Sequence, residues 1–301
     1  QFALQQELSR AVEEFSALGA AGIVLDAVTG EVLAMVSLPD FDPNQARTAS
    51  SNAMFNRASL GVYEMGSTFK AFTTAMALDA GTVKIGGGYD ATKPLRVARF
   101  TIRDDHPKKR WLSVPEIFIY SSNIGAAKMA VDVGAERQKE FLGRLGLLQR
   151  AALELPEVGR PISPSRWGEI STMTVAFGHG IAVSPVQLTS AMAAMVNGGI
   201  RIDPTLMAKQ PMDTPQGTRV IKTRTSSIMK RLMRLNVEEG TGSKAKAAGY
   251  LVGGKTGTAE KAVAGSYQRK ALLSSFIGAF PMNDPRYVVL AVIDEPKGTK
   301  K

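Results

Sequence analysis

The chain has 301 residues, 44% of them hydrophobic and 21% charged, with no cysteine and a formal net charge of +10. That length and balance describe an ordinary globular protein with room for one large domain or two small ones. Zero cysteine excludes disulfides and thiolate metal sites, and no apolar run approaches the ~18–20 residues of a membrane span.

The basic balance favours anionic partners such as nucleic acid, a membrane face or an acidic polymer, without choosing among them. The cations are scattered, with only short clusters such as Lys108-Lys109-Arg110 and Lys300-Lys301, and read as solvated surface charge. No signal-peptide pattern is present. A chain that starts at Gln1 reads as a fragment, which leaves an N-terminal anchor outside it open.

Leu4, Leu8, Val12 and Phe15 recur at helical spacing. "GIVLDAVTGEVLAMVS" then reads as two strands around a turn from Asp26 to Gly30. Residues 38–56 are rich in turn formers and read as a loop. "YEMGSTFKAFTTAMALDAG", residues 63–81, reads as a mostly apolar helix that ends at Gly81. From about 82 to 245 the pattern is mainly helical. "SSNIGAAKMAVDVG" is a short helix stopped by Gly134. "SPVQLTSAMAAMVNGG" has Ser184 as N-cap, Pro185 at N1, Gln187 at N3 and Gly198 at the stop. "SSIMKRLMRLN" is amphipathic. Strand character returns near 251–260, 271–280 and 286–294, with "MNDP" as the last turn. Five strands from the two chain ends, joined by short connections, imply an antiparallel sheet. The fold class is then α+β, a five-stranded antiparallel sheet flanked by helices with an inserted helical lobe. A cleft between sheet and lobe is the natural site.

Ser67 and Lys70 stand one helical turn apart, and side chains at that spacing share a face. A serine hydroxyl needs a base to become a nucleophile. An amine serves only when neutral, a state that burial and nearby positive charge favour. The spacing alone is weak, because Ser227/Lys230 and Ser243/Lys246 repeat it. Context separates Ser67: Gly66 precedes it and an apolar helix follows. Ser227 heads a helix with a solvated Lys/Arg stripe, and Ser243 lies in a glycine-rich loop. Two further clusters add hydroxyls. Ser121-Ser122-Asn123 supplies a second hydroxyl and an amide, with Ser50-Ser51-Asn52 as a decoy earlier in the chain. Lys255-Thr256-Gly257-Thr258 lies on a predicted strand. There Gly257 is expected to let a substrate approach the edge, the two threonines to bind a carboxylate, and Lys255 to help keep Lys70 neutral.

These three motif types, in this order, occur together in serine β-lactamases and penicillin-binding proteins. The chain resembles the transpeptidase domain of class B penicillin-binding proteins, and within them most resembles the septal, cell-division peptidoglycan D,D-transpeptidase. The likeness is carried by "GIVLDAVTGEVLAMVSLPDFDPN", "FNRASLGVYEMGSTFK", "YSSNIGAAKMA", "AFGHGIAVSPVQL" and "GGKTGTAEK". It implies one transpeptidase domain over 1–301, with the sheet from about 17–37 and 250–295 and a helical lobe over about 82–245. It implies Ser67 as acylated nucleophile, Lys70 as its base, and Ser121 and Asn123 on the cleft. Lys255 orients Ser121, Thr256 and Thr258 hold a carboxylate beside Gly257, and the N–H groups of Ser67 and Thr258 form an oxyanion hole. Partners implied are D-Ala-D-Ala stem peptides, β-lactams, a lipid II polymerising glycosyltransferase and other division proteins. The location implied is the periplasmic face of the inner membrane, held by an anchor absent from this sequence. The family's C-terminal helix is expected after the last strand, and no such helix is visible in "EPKGTKK". No cofactor, metal or nucleic acid is implied.

Two rivals share the motifs. A serine β-lactamase needs a base for its deacylating water, and Glu154 and Glu157 in "LELPEVGRP" are the residues to weigh. A non-enzymatic penicillin-sensing receptor domain would keep Ser67 and Lys70 without transpeptidation. A nucleic-acid reading rests on charge alone. His106 and His179 are the only histidines. His179, in "FGHG", either lines the cleft or is a loop histidine with a structural hydrogen bond, the second being preferred. Gly86-Gly87-Gly88 reads as a flexible turn and Met192 and Met195 as core. Trp111 and Trp167 are left between cleft lining and packing.

Overall fold

The computed structural model describes residues 1–98, 100–210, 216–263 and 266–298. The Lys300-Lys301 pair lies outside them. In chain order, α1 (Phe2–Glu14) precedes β1 (Gly19–Asp26), β2 (Val32–Leu38), the short α2 (Ser51–Met54) and α3 (Lys70–Ala80). The middle of the chain begins with three-residue strands β3 (Gly88–Asp90), β4 (Leu95–Val97), β5 (Phe100–Ile102) and β6 (Trp111–Ser113). Helices α4 (Val114–Ile119), α5 (Asn123–Val133), α6 (Ala135–Arg144), α7 (Glu169–Val175) and α8 (Pro185–Val196) follow. The pair β7 (Ile200–Arg201) and β8 (Thr218–Arg219) leads to α9 (Thr223–Glu239), and β9 (Gly253–Val263), β10 (Ser266–Phe280) and β11 (Tyr287–Asp294) close the described chain.

The fold is α+β. One five-stranded sheet runs in the order β2-β1-β11-β10-β9, with every neighbouring pair antiparallel. β1 and β11 come from opposite chain ends and pair over eight residues, from Gly19↔Asp294 to Asp26↔Tyr287. That pairing makes the chain ends one structural unit and leaves the helical lobe as an insertion. β9 is left at the edge, beside the lobe.

β1 is nearly all apolar because both its faces are covered. Ala21, Ile23 and Leu25 join the main core. Ala20, with Val36 and Leu38 of β2, packs under Leu8 of α1. Gly22 gives α1 its close approach, since a side chain there would meet Leu8 and Leu4. β11 alternates, with Val288, Leu290 and Val292 in the main core and the partly buried Ala291 and Ile293 packed against the cluster under α1.

α8 is the helix on which the inner face of the sheet rests, and all twelve of its residues are buried. Its N-terminus has the expected capping box: Ser184 and Gln187 satisfy each other's backbone N–H groups, with Pro185 at N1. Asn197 is the C-cap, and Gly198 follows it at φ +91°. Met192 and Met195 are core, and full burial of each large apolar side chain contributes about 1.5–3 kcal/mol.

Several expectations change. The 38–56 loop contains a 3-10 turn (Pro43–Thr48) and α2, whose N-cap is Ser50. Gly88 is not part of a flexible turn: it opens β3, paired with β6, where a side chain would strike the Leu112 carbonyl. The helix expected to begin at Ser226 begins at Thr223, so Ser227 stands in its first turns and donates to the Thr223 carbonyl (3.1 Å). Trp167 packs against the core and donates to Gln138 Oε1 (2.8 Å), whereas Trp111 is half-exposed.

Candidate active site

Ser67 is not in an α-helix. It lies on a 3-10 turn, Gly66–Phe69, that runs directly into α3 at Lys70. In a 3-10 turn residues i and i+3 are eclipsed, so the Ser67 and Lys70 side chains stand in register and Lys70 Nζ lies 2.8 Å from Ser67 Oγ. The turn is held by backbone packing on both sides. Gly66, at φ +53°, abuts the Thr258 carbonyl on one side, and Gly178 abuts the Gly66 backbone on the other. A Cβ at either glycine would collide with those main-chain atoms. Gly257 belongs to the same contact. Its bare Cα faces the Met65 carbonyl, Ser275 and Thr68, so it lets the turn that carries Ser67 pack against the strand.

Lys70 is 1% exposed. Its Nζ has three oxygen neighbours and no carboxylate: Ser67 Oγ, the Ser121 carbonyl (2.6 Å) and Ser121 Oγ (3.0 Å). Burial pushes its pKa down to about 7, against the opposing pull of Asp104 and Asp105. A neutral amine has two N–H donors and one lone pair. A carbonyl accepts only, so one N–H goes to the Ser121 carbonyl. With the other on Ser121 Oγ, the lone pair is left for the proton of Ser67.

Ser121 sits between α4 and α5 at φ +58°, a left-handed conformation costing a non-glycine residue roughly 1–3 kcal/mol. Its hydroxyl also receives Lys255 Nζ at 2.9 Å. A hydroxyl has two acceptor lone pairs and one donor. With two lysines on the lone pairs, its own O–H is free to donate elsewhere. Lys255 projects from the inner face of β9, is fully buried, and also donates to the Thr256 carbonyl (3.2 Å). Burial, and then the charge of Lys70, hold its pKa well below the usual lysine value. The charge of Lys70 thus makes Lys255 harder to protonate, whereas the shift of Lys70 itself comes from burial.

The remaining expected residues lie around this group. Asn123 opens α5 and donates from Nδ2 to the Arg103 carbonyl (2.8 Å). Thr256 donates to Thr241 Oγ1 (2.9 Å), and Thr258 is exposed on the same strand edge. The 177–180 loop brings His179 beside the cleft. Gly180 N–H donates to Glu64 (2.8 Å), and the His179 and Phe177 rings are 5.4 Å apart. Burial lowers the His179 pKa, with Glu64, Glu260 and Asp105 pulling upward and Lys70 downward.

Several supporting residues escaped the sequence reading. Asp104 accepts from Ser122 Oγ (2.8 Å) and Ile124 N–H (3.0 Å), fixing the turn that presents Ser121. Asn236, fully buried on α9, donates to the Gly254 carbonyl (2.9 Å) and accepts from Thr241 (3.2 Å), tying α9 to the strand that carries Lys255. Asp104 reaches partners 18 and 20 residues away and Asn236 a carbonyl 18 residues away, so no short motif announces them. Among the described residues, no cluster of three or more His, Asp or Glu is placed to hold a metal.

The family description "Penicillin binding protein transpeptidase domain" matches residues 20–301. A protein named "Probable peptidoglycan D,D-transpeptidase FtsI" from Caulobacter vibrioides is 43% identical over 99% of this chain and 52% of its own length. "Probable peptidoglycan D,D-transpeptidase PenA" from Neisseria meningitidis is 37% identical over 97% of this chain and 50% of its own. The chain thus spans about half the length of these curated relatives. The solved apo structure of the TP domain of Burkholderia pseudomallei penicillin-binding protein 3 superposes with a TM-score of 0.89 at 31% identity, covering 99% of this chain and 87% of that one.

Proposed function

The chain belongs to the penicillin-binding protein transpeptidase family, and from that premise we propose that it is the catalytic part of a septal peptidoglycan D,D-transpeptidase acting through an acyl-enzyme on Ser67. The observation that carries this reading is the buried amine of Lys70 at 2.8 Å from Ser67 Oγ with no carboxylate to keep it charged.

In acylation, Ser67 Oγ gives its proton to Lys70 and attacks the carbonyl of the D-Ala-D-Ala bond of a stem peptide. The developing oxyanion is held by the N–H groups of Ser67 and Thr258, whose segments the Gly66 contact presses together; such a donor is typically worth ~3–4 kcal/mol. The C–N bond breaks, and Ser121 hands a proton to the departing D-Ala amine, replaced through the lysines that share its hydroxyl. An amine from a neighbouring strand then attacks the ester. A C–N bond forms, the C–Oγ bond breaks, and the amine's proton returns to Ser67. Lys255 holds Ser121, Asn123 binds the donor's backbone amide, and Thr256 and Thr258 hold the terminal carboxylate. A β-lactam follows the first step, and its ring carbonyl becomes a slowly hydrolysed ester.

A β-lactamase reading is not favoured by the two glutamates it would need. Glu154 is committed to Thr205 Oγ1 (2.5 Å) and the Leu206 N–H (2.9 Å), and Glu157 lies beside Asn56 (3.4 Å). By resemblance, the full-length protein is anchored at the periplasmic face of the inner membrane and works beside a lipid II polymerising glycosyltransferase and other division proteins. Among the described residues, no helix is long and apolar enough to cross a membrane.

Incubation with a fluorescent penicillin, digestion and mass spectrometry should place the adduct on the peptide containing Ser67 and lose it in Ser67→Ala. Cross-linking of a lipid-linked precursor separates a transpeptidase from a one-turnover receptor. Rapid repeated turnover of nitrocefin would instead favour a hydrolase.

A further inference from the structure

A second concave surface lies along α9, on the side that the catalytic group does not use. It is an open groove of about 710 Å³ between α9, the chain just before β3 and α4, and the segments flanking β9 and β10. Its floor is apolar. Ile228, Leu232 and Leu235 come from successive turns of α9, and Ile85, Leu251 and Met282 face them. Ile85 is 40% exposed and Leu251 45%. These six residues form one continuous apolar lining.

The rim is cationic. Lys230 and Arg231 border the groove, and neither has an acidic partner among the described residues. Arg234, also on the lining, is paired with Glu238 (2.9 Å). α9 thus presents apolar residues at i, i+4 and i+7 (228, 232 and 235) flanked by two unpaired cations. That is one half of a helix-in-groove recognition pattern. The complementary half is a helix with an apolar stripe and acidic flanks.

We infer that this groove is a docking site for an acidic amphipathic helix of a partner protein. The charge sign selects the occupant: a basic or neutral helix leaves Lys230 and Arg231 uncompensated at the rim, whereas glutamates at the flanks of an apolar stripe meet them while the stripe fills the floor. The site also adjoins the catalytic strand. Arg234 donates to the Val252 carbonyl (2.9 Å), Met282 N–H donates to the Leu251 carbonyl (2.8 Å), and Lys255 follows three residues after Val252. The inference is independent of the proposed activity.

The chain has no cysteine, so Ser227→Cys accepts a single environment-sensitive fluorophore at the groove and Ser9→Cys, on α1, a control label. The probe is a synthetic helical peptide with leucines on one face and glutamates flanking them. It should saturate the signal at position 227 and leave position 9 silent. Lys230→Glu with Arg231→Glu should weaken binding at least tenfold, and a leucine/lysine version of the peptide should regain it on that variant. Acylation by fluorescent penicillin at the unmodified protein's level shows that the variants are folded. The inference is overturned by equal binding of a sequence-scrambled peptide, or by charge reversal that changes affinity less than twofold. It is also overturned if the peptide has no effect while phosphatidylglycerol vesicles, or protein concentration alone, move the signal at 227. Those results would assign the groove to a membrane surface or to a second copy.

Discussion

The rate of acylation should titrate with Lys70, far below the range of an ordinary lysine. With a pKa of about 7, about half the amines are neutral at pH 7 and about a tenth at pH 6. An unperturbed lysine near 10.4 is neutral in only about 0.04% of molecules at pH 7. Burial therefore raises the supply of base about a thousandfold. The second-order rate constant for acylation by a fluorescent penicillin, measured by stopped flow from pH 5 to 10, should climb about tenfold per unit below pH 7 and level off above it. Asp105→Asn removes a carboxylate that favours the charged amine and should move this limb to lower pH. A limb near pH 10, or a shift to higher pH in Asp105→Asn, would refute the assignment of Lys70 as a burial-tuned base.

The same titration bears on stability. The native pKa of Lys70 lies below the unfolded one, so between about pH 7 and 10.5 the unfolded chain holds a proton that the native chain lacks, and stability rises with pH. Lys70→Met should flatten urea-derived stability across that window by up to about 1.4 kcal/mol per pH unit; an unchanged slope contradicts it. Gly257→Ala places a Cβ against the Met65 carbonyl and Ser275 Oγ, both at 2.5 Å. It should cost about 1–3 kcal/mol of stability and slow acylation at least tenfold even where the protein is folded. Acylation at the parent rate would mean that the turn and the strand are not in that contact. Asn236→Ala removes the side-chain donor to the Gly254 carbonyl and the amide acceptor of Thr241. It should cost about 1–3 kcal/mol and weaken binding of carboxylate-bearing β-lactams more than it changes the rate of acylation once they are bound; the reverse split contradicts the positioning role.

What the sequence made legible follows from the range of the interactions. The capping box at Ser184 and Gln187 and the stop near Gly198 are local, and they stand where the residues place them. The five strands were readable from segments rich in Val, Ile, Leu and Phe at the two chain ends, and the antiparallel sense from short connections within each group, whereas the β1–β11 pairing that joins the groups is a tertiary contact. The three-residue strands β3 to β6 offered no period to detect. Within the site, Ser67, Lys70, Ser121 and Lys255 converge on one pair of hydroxyls, and short motifs carried that much. The contact of Gly257 with the Met65–Thr68 turn was not legible, because the strand edge is visible in the sequence and the turn packed against it is not. Asp104 and Asn236 were missed for the same reason: each serves a backbone group or hydroxyl brought near by tertiary structure alone.

The central claim is that a neutral amine stands beside the Ser67 hydroxyl under physiological conditions. It is tested most directly by following the side-chain resonances of Lys70 through a pH titration, with lysine-selective isotope labelling and Lys70→Met to identify the signal. An apparent pKa close to 7 agrees with the buried, carboxylate-free surroundings of the amine. A lysine that stays charged to pH 9 or beyond contradicts them, and with them the mechanism.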